Sequence, residues 1–132
     1  MVERVATCRC GQLVAVCTGG PVRVSVCHCL DCQKRSGSAF AAQARFPAEC
    51  VGMTGDWREW SVVGEGGGGA TFRFCPQCGA TVAYVSDSMP GLTAVPVGAF
   101  ADPDFPPPTV SGYEERRHPW VAVLGDTVEH VD

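Results

Sequence analysis

Cys27-His28-Cys29-Leu30-Asp31-Cys32 places three thiols within six residues, where an alternating apolar run stops and a basic stretch begins. Thiolates are favoured zinc ligands, bound at ~2.3 Å, and three of them leave a tetrahedral ion one position short. An open metal position points to chemistry. Upstream, Val22, Val24 and Val26 alternate with Arg23 and Ser25, the period of a half-buried strand. That alternation sets Val26 and His28 on one face and Cys27 and Cys29 on the other. If the chain turns into a short helix after Cys29, the i, i+3 spacing brings Cys32 to the same side. All three thiols can then meet one ion, while His28 faces away and is expected to pack behind the site.

Outward from this cluster, the other cysteines form two pairs and two singles. Cys8-Arg9-Cys10-Gly11 puts two thiols on one face, followed by a glycine that lets the backbone turn beneath a metal. Cys75-Pro76-Gln77-Cys78-Gly79 is a knuckle, with proline restricting the backbone on entry and glycine accepting positive φ on exit. Together Cys8, Cys10, Cys75 and Cys78 predict a closed four-thiolate zinc site of the structural kind. Cys17 and Cys50 have no neighbouring partner and read as small buried residues. His118 and His130 lack metal-like spacing and are assigned no role as ligand or base.

The chain has 132 residues, 45% of them hydrophobic, which fits a single domain over 1–132. Sixteen glycines and ten prolines predict many turns and little helix. A net charge of −4 argues against a nucleic-acid surface, which needs a dense basic patch. The start Met1-Val2-Glu3-Arg4-Val5 does not resemble a signal peptide, and no apolar run approaches the ~18 residues of a membrane span. The expectation is a soluble, cytoplasmic protein. An odd count of nine cysteines in a reducing compartment suits metal binding better than disulfides.

Strands are predicted over 12–18 and 21–26, joined as a hairpin by Gly19-Gly20, then over 39–46, 57–63, 70–74, 80–85 and 92–100. A short helix is predicted over 31–37, ending at Gly37. The run from Gly64 to Gly69 lacks the lysine and Ser/Thr of a phosphate-binding loop, so it reads as a flexible hairpin loop. The stretch from Ala101 to Pro108 is held extended by its prolines and reads as a surface crossover. Trp120 is expected in the core, and Val121 to Leu124 as the last strand.

The order Cys-x-Cys-Gly, Cys-His-Cys-x-x-Cys, Cys-Pro-x-Cys-Gly resembles the glutathione-dependent formaldehyde-activating enzyme family, which includes the centromere protein V domain. Ser36-Gly37-Ser38-Ala39-Phe40, Gly98 to Pro108 and Pro119-Trp120 extend the resemblance over nearly the whole chain. It implies a mainly β fold, a β-tent of several small curled antiparallel sheets stapled by a structural zinc. Cys8, Cys10, Cys75 and Cys78 match the structural site, and Cys27, Cys29 and Cys32 match a second, exchangeable zinc. The implied reaction joins glutathione or a small thiol to formaldehyde or a related aldehyde, formally a carbon–sulfur lyase in reverse. Lys34, Arg35, Arg45 or Arg73 would hold the carboxylates of glutathione. In one departure, Ser111-Gly112-Tyr113 stands where many relatives have a His-Ile-Trp-like triplet.

Two further readings compete with the enzyme. In one, both metal sites serve only the fold of an interaction module. In the other, the exposed cluster handles metal or redox equivalents. Cysteine content alone does not separate these three.

Overall fold

The computed structural model describes residues 1–64 and 67–132. In chain order the elements are β1 (Glu3–Thr7), β2 (Val14–Thr18), β3 (Arg23–Cys27), the helix α1 (Leu30–Ser36), β4 (Ala41–Pro47) and β5 (Val51–Thr54). There follow β6 (Arg58–Val63), β7 (Gly69–Phe74), β8 (Thr81–Ser86), β9 (Leu92–Pro96), β10 (Val110–Gly112) and β11 (Glu129–His130). Short 3₁₀ turns occupy Ala48–Cys50, Val97–Phe100 and Glu114–Arg116. The molecule is therefore mainly β, and its sheets form no closed barrel among the described residues.

One sheet has the order β1-β2-β5 and is antiparallel throughout. The other runs β11-β10-β3-β4-β9-β8-β7-β6. Its β10 pairs in parallel with both β3 and β11, and its remaining pairs are antiparallel. Between β8 and β9 the register is reduced to Tyr84 opposite Ala94. This long ladder thus divides into two leaves, the meander β6-β7-β8 and the group around β3 and β4. The core lies where the leaves face the first sheet: Ala15 and Cys17 of β2, Val24 of β3, Ala44 and Phe46 of β4, and Val82 and Val95 pack there.

The hairpin predicted across Gly19-Gly20 does not form. Both edges of β2 are taken, by β1 and β5, while β3 pairs with β4 and β10. Gly19, at φ +83°, donates its N–H to Val2 O at 2.7 Å, so the turn hands the chain from one sheet to the other. Alternation reports which face a strand buries and not which strand lies beside it. The segment predicted over 92–100 is a strand only to Pro96, and Val97–Phe100 is a 3₁₀ turn. Residues 121–124 form no strand: Val121 is buried but Leu124 is 85% exposed, and the last pairing is that of β11 on β10. Trp120 is 75% exposed, outside the core, with its ring 5.4 Å from that of His118. Of the run from Gly64 to Gly69, Glu65 and Gly66 lie outside the described residues, while Val63 and Gly69 face each other in register at its ends.

Beyond β9 the crossover turns at Ala101 (φ +50°), where Asp102 Oδ1 accepts from Asp104 N at 2.9 Å. Phe105 is buried and stacks on Phe100 at 4.5 Å. Thr109 N then donates to Val24 O, which delivers β10 to the edge of β3. The chain that carries the central cysteines is thereby held on both sides.

Candidate functional site

Two cysteine groups come together at the ends of strands. Cys8 and Cys10 sit in the turn after β1, and Cys75 and Cys78 in the turn after β7. The two turns repeat one pattern: Gly11 N donates to Cys8 O at 3.1 Å and Gly79 N to Cys75 O at 2.8 Å. Both glycines have positive φ, +87° and +81°, which a side chain would oppose. All four sulfurs lie within 4.8 Å of one another, with Cys8 to Cys10 at 3.6 Å and Cys10 to Cys75 at 3.7 Å. Four thiolates at ~2.3 Å from a tetrahedral ion stand about 3.8 Å apart, so the group fits zinc.

Donors already face these sulfurs. Leu13 N donates to Cys8 Sγ at 3.3 Å, Gln77 N to Cys75 Sγ at 3.4 Å, and Gln12 Nε2 to Cys75 Sγ at 3.0 Å. Burial pushes the Cys75 thiol up, but hydrogen bonds from Gln12, the backbone of Cys78 and Gln77, and Cys10 outweigh it and bring it to about 6. Backbone hydrogen bonds, from Ala80 first, lower Cys78 as well. Cys10 goes the other way: a backbone hydrogen bond from Gln12 lowers it, but hydrogen bonds with Cys8, Cys75 and Cys78 and burial push it up to about 11, so negative charge settles first on Cys75 and Cys78.

The second group follows from the end of β3. Cys27 closes that strand, Cys29 caps α1, and Cys32 lies in the first helical turn. Their sulfurs lie within 4.8 Å of one another, and all three residues are half-buried. Cys29 Sγ accepts from Cys32 N at 3.3 Å, so one thiol serves both the helix and the cluster. A hydrogen bond from Cys32 lowers the Cys27 thiol and raises that of Cys32, while burial raises Cys29. Negative charge therefore settles first on Cys27. These two clusters could hold metal ions.

His28 occupies the opposite face, as the alternation predicts, and is fully buried. Its Nε2 is 2.8 Å from Ser111 Oγ, which donates to Glu114 Oε2 at 2.7 Å, and that oxygen lies 2.8 Å from His130 Nδ1. Burial holds His28 below its ordinary pKa, so it packs as a neutral imidazole. Gln33 ties α1 to the C-terminal segment: its Nε2 donates to His28 O at 2.8 Å and Arg116 O at 3.1 Å, and its Oε1 meets His118 Nε2 at 2.8 Å.

Cys27 and Cys32 open on a chamber of about 190 Å³ that also contains Gln43, Arg45, Tyr84 and Arg35. A trough of about 410 Å³ lies against Cys32, Lys34 and Arg35, and a cleft of about 650 Å³ lies against Arg9, Arg35 and Ser36. Arg35 borders all three, its guanidinium over the rings of Phe72 and Tyr84 at 5.1 and 4.9 Å. Arg73 borders none of them: on the other face of β7, it bonds Glu59 Oε2 at 3.1 Å and lies over Trp57.

Three contributors went unread in the sequence. Gln43 Nε2 and Arg45 Nη1 both donate to Ser25 Oγ, at 2.8 and 3.3 Å, where β4 pairs with β3. Ser25 shares its face with Cys27 by alternation, a signal that was present. Gln43 and Tyr84 reach the chamber only through strand pairing, which no local pattern discloses.

Comparison with known proteins agrees with this architecture. A crystal structure of a Rhodobacter sphaeroides protein has the same fold, with a TM-score of 0.58 and 21% identity over 72% of this chain and 85% of that one. No curated protein matches the chain. No helix among the described residues is long and apolar enough to cross a membrane. Residues 3–116 match the family described as glutathione-dependent formaldehyde-activating enzyme. With that match spanning both cysteine groups and every strand but the last, the chain belongs to the glutathione-dependent formaldehyde-activating enzyme family.

Proposed function

We propose that the protein is a zinc-dependent enzyme of the carbon–sulfur lyase type, joining or releasing a thiol such as glutathione and formaldehyde or a related aldehyde. The observation that carries this reading is the contrast between the two clusters. Cys8, Cys10, Cys75 and Cys78 complete a four-thiol set, whereas Cys27, Cys29 and Cys32 stop at three, and two of them, Cys27 and Cys32, open on a chamber. A zinc ion held by these three would supply a Lewis acid that lowers the pKa of a nearby thiol.

The chain's own residues do the rest. Lys34 and Arg35 bind and orient the carboxylates of glutathione from α1, with Arg45 deeper in the chamber. Burial pushes the Tyr84 hydroxyl up to about 12, so it keeps its proton at neutral pH. Its Oη can donate a hydrogen bond to the aldehyde oxygen as that oxygen gains negative charge. The protein acts as a single domain over 1–132, in a reducing, cytoplasmic setting where its nine free cysteines stay reduced.

Zinc content measured with and without glutathione tests the reading. One firmly held ion and a second disturbed by the thiol are expected. Two ions indifferent to glutathione, with no exchange of formaldehyde on added thiol, would make both sites structural.

A further inference from the structure

Trp60, Phe72 and Tyr84 are cross-strand neighbours on one face of β6, β7 and β8. Their ring centroids stand 6.0 and 5.0 Å apart, and the ladder runs inward from Trp60, 55% exposed, to Tyr84, 5% exposed. The trough of about 410 Å³ lies between the outer end of this ladder and α1, walled by Trp60, Val62 and Phe72. It shares Asp31, Cys32, Arg35, Val62 and Phe72 with the chamber at Cys27, so the apolar wall of Val62 and Phe72 leads directly to the thiols.

Formaldehyde has nothing to bury there. Aromatic and branched side chains left open to water forgo ~25 cal/mol for each Å² they would bury, and such a groove beside reactive groups is the usual form of a ligand site. Glutathione, charged at both ends, is matched by the cations Lys34, Arg35 and Arg45 and, across Arg35, by the cleft where Arg9 and Ser36 stand, and not by the apolar wall of Trp60, Val62 and Phe72. Among the described residues Lys34 and Arg35 outnumber Asp31 at the rim of the trough, which favours a neutral or anionic occupant over a cation.

We propose that the trough holds the aryl or branched-alkyl substituent of a carbonyl compound larger than formaldehyde, whose thiol adduct is made or broken at the cysteine cluster. This rests on the thiol-adduct reading above. The step balances without an oxidant: the thiol sulfur bonds to the carbonyl carbon, the C=O π pair moves to oxygen, and the thiol proton ends there as the hydroxyl.

Two unreactive thioethers test the proposal on the zinc-loaded protein by calorimetry. S-benzylglutathione is expected to bind at least about tenfold more tightly than S-methylglutathione. Trp60→Ala should erase that preference while leaving S-methylglutathione binding unchanged, and Trp60→Gln, which keeps more of the side-chain volume at this exposed position, serves if the first variant misfolds. Equal binding of the two thioethers would overturn the proposal and leave the glutathione reading standing. If neither binds, the glutathione reading fails, and benzyl alcohol titrated alone decides the trough by NMR. A saturable shift of the Trp60 indole N–H supports the site, and no shift overturns it. A solution dimer broken by Val62→Asp, with no preference between the thioethers, would put a second copy of the chain on β6 instead.

Discussion

Ser111 links the buried imidazole of His28 to Glu114 and, through it, to His130. Ser111→Ala would leave His28 Nε2 without a partner in addition to its unpaired Nδ1. A loss of ~1–3 kcal/mol is expected, measured by urea unfolding. Hydrogen bonds from His130 and then Ser111 hold the Glu114 carboxyl below its ordinary value of 4.5. Its contribution to stability is thus full above that value and is lost as pH falls through the depressed one. Glu114→Gln should flatten this part of the acid limb of a stability–pH curve. In the chamber, Tyr84→Phe removes a hydroxyl and keeps the ring, so turnover should fall about 10²-fold with thiol affinity preserved.

At the scale of elements, α1 is a short helix made precise by its ends. Cys29 caps it through Sγ, and Gly37 closes it at φ +68° with its N–H on Gln33 O at 2.9 Å. Serine is a strong helix cap, whereas alanine is a poor one. Cys29→Ser should lower zinc affinity at the second cluster and keep helix stability, while Cys29→Ala should lose both, by ~1 kcal/mol in the helix. Metal titration together with thermal unfolding separates the two effects. The loop between β5 and β6 is held from outside: Gln12 Nε2 and Oε1 bond the backbone of Asp56 at 2.7 and 2.8 Å. Gly55, at φ +98°, lies so close that an added Cβ would stand 2.1 Å from Gln12 O. Gly55→Ala should therefore detach Gln12 from Cys75 as well, seen as faster zinc release to a chelator.

For the whole molecule, the two clusters stand in different mechanical relations to the fold. Cys8 and Cys10 end the first strand of one sheet, and Cys75 and Cys78 end a strand of the other, so a metal there ties the sheets across more than sixty residues. Cys27, Cys29 and Cys32 lie within one continuous strand-to-helix turn and tie together only local chain. Cys75→Ser is expected to unfold the protein or lower its melting temperature markedly. The triple change Cys27→Ser, Cys29→Ser, Cys32→Ser should remove one ion and the aldehyde–thiol exchange while far- and near-UV dichroism persist.

The sequence by itself determined β2 to β4 and β6 to β9 but not β1, β5, β10 or β11, together with the helix after Cys29, the two-and-two and three-in-six grouping of the thiols, and the side on which His28 lies. Each of these is local, set by period-2 alternation, by turn glycines or by spacing of a few residues. The partners of each strand lay outside its reach. The Gly19-Gly20 turn looked like a hairpin because its flanking strands alternate correctly, yet β2 and β3 belong to different sheets. Likewise Trp120 reads as core on size and apolarity alone, and only the packed chain leaves it outside. Tertiary structure also decided which cations serve the thiols. Arg35 faces them and Arg73 does not, because β7 turns its odd and even residues to opposite sides and the ladder Trp60, Phe72, Tyr84 takes the side facing α1. Charge near a motif is visible in one dimension, but the face that carries it is settled only when strands find their neighbours.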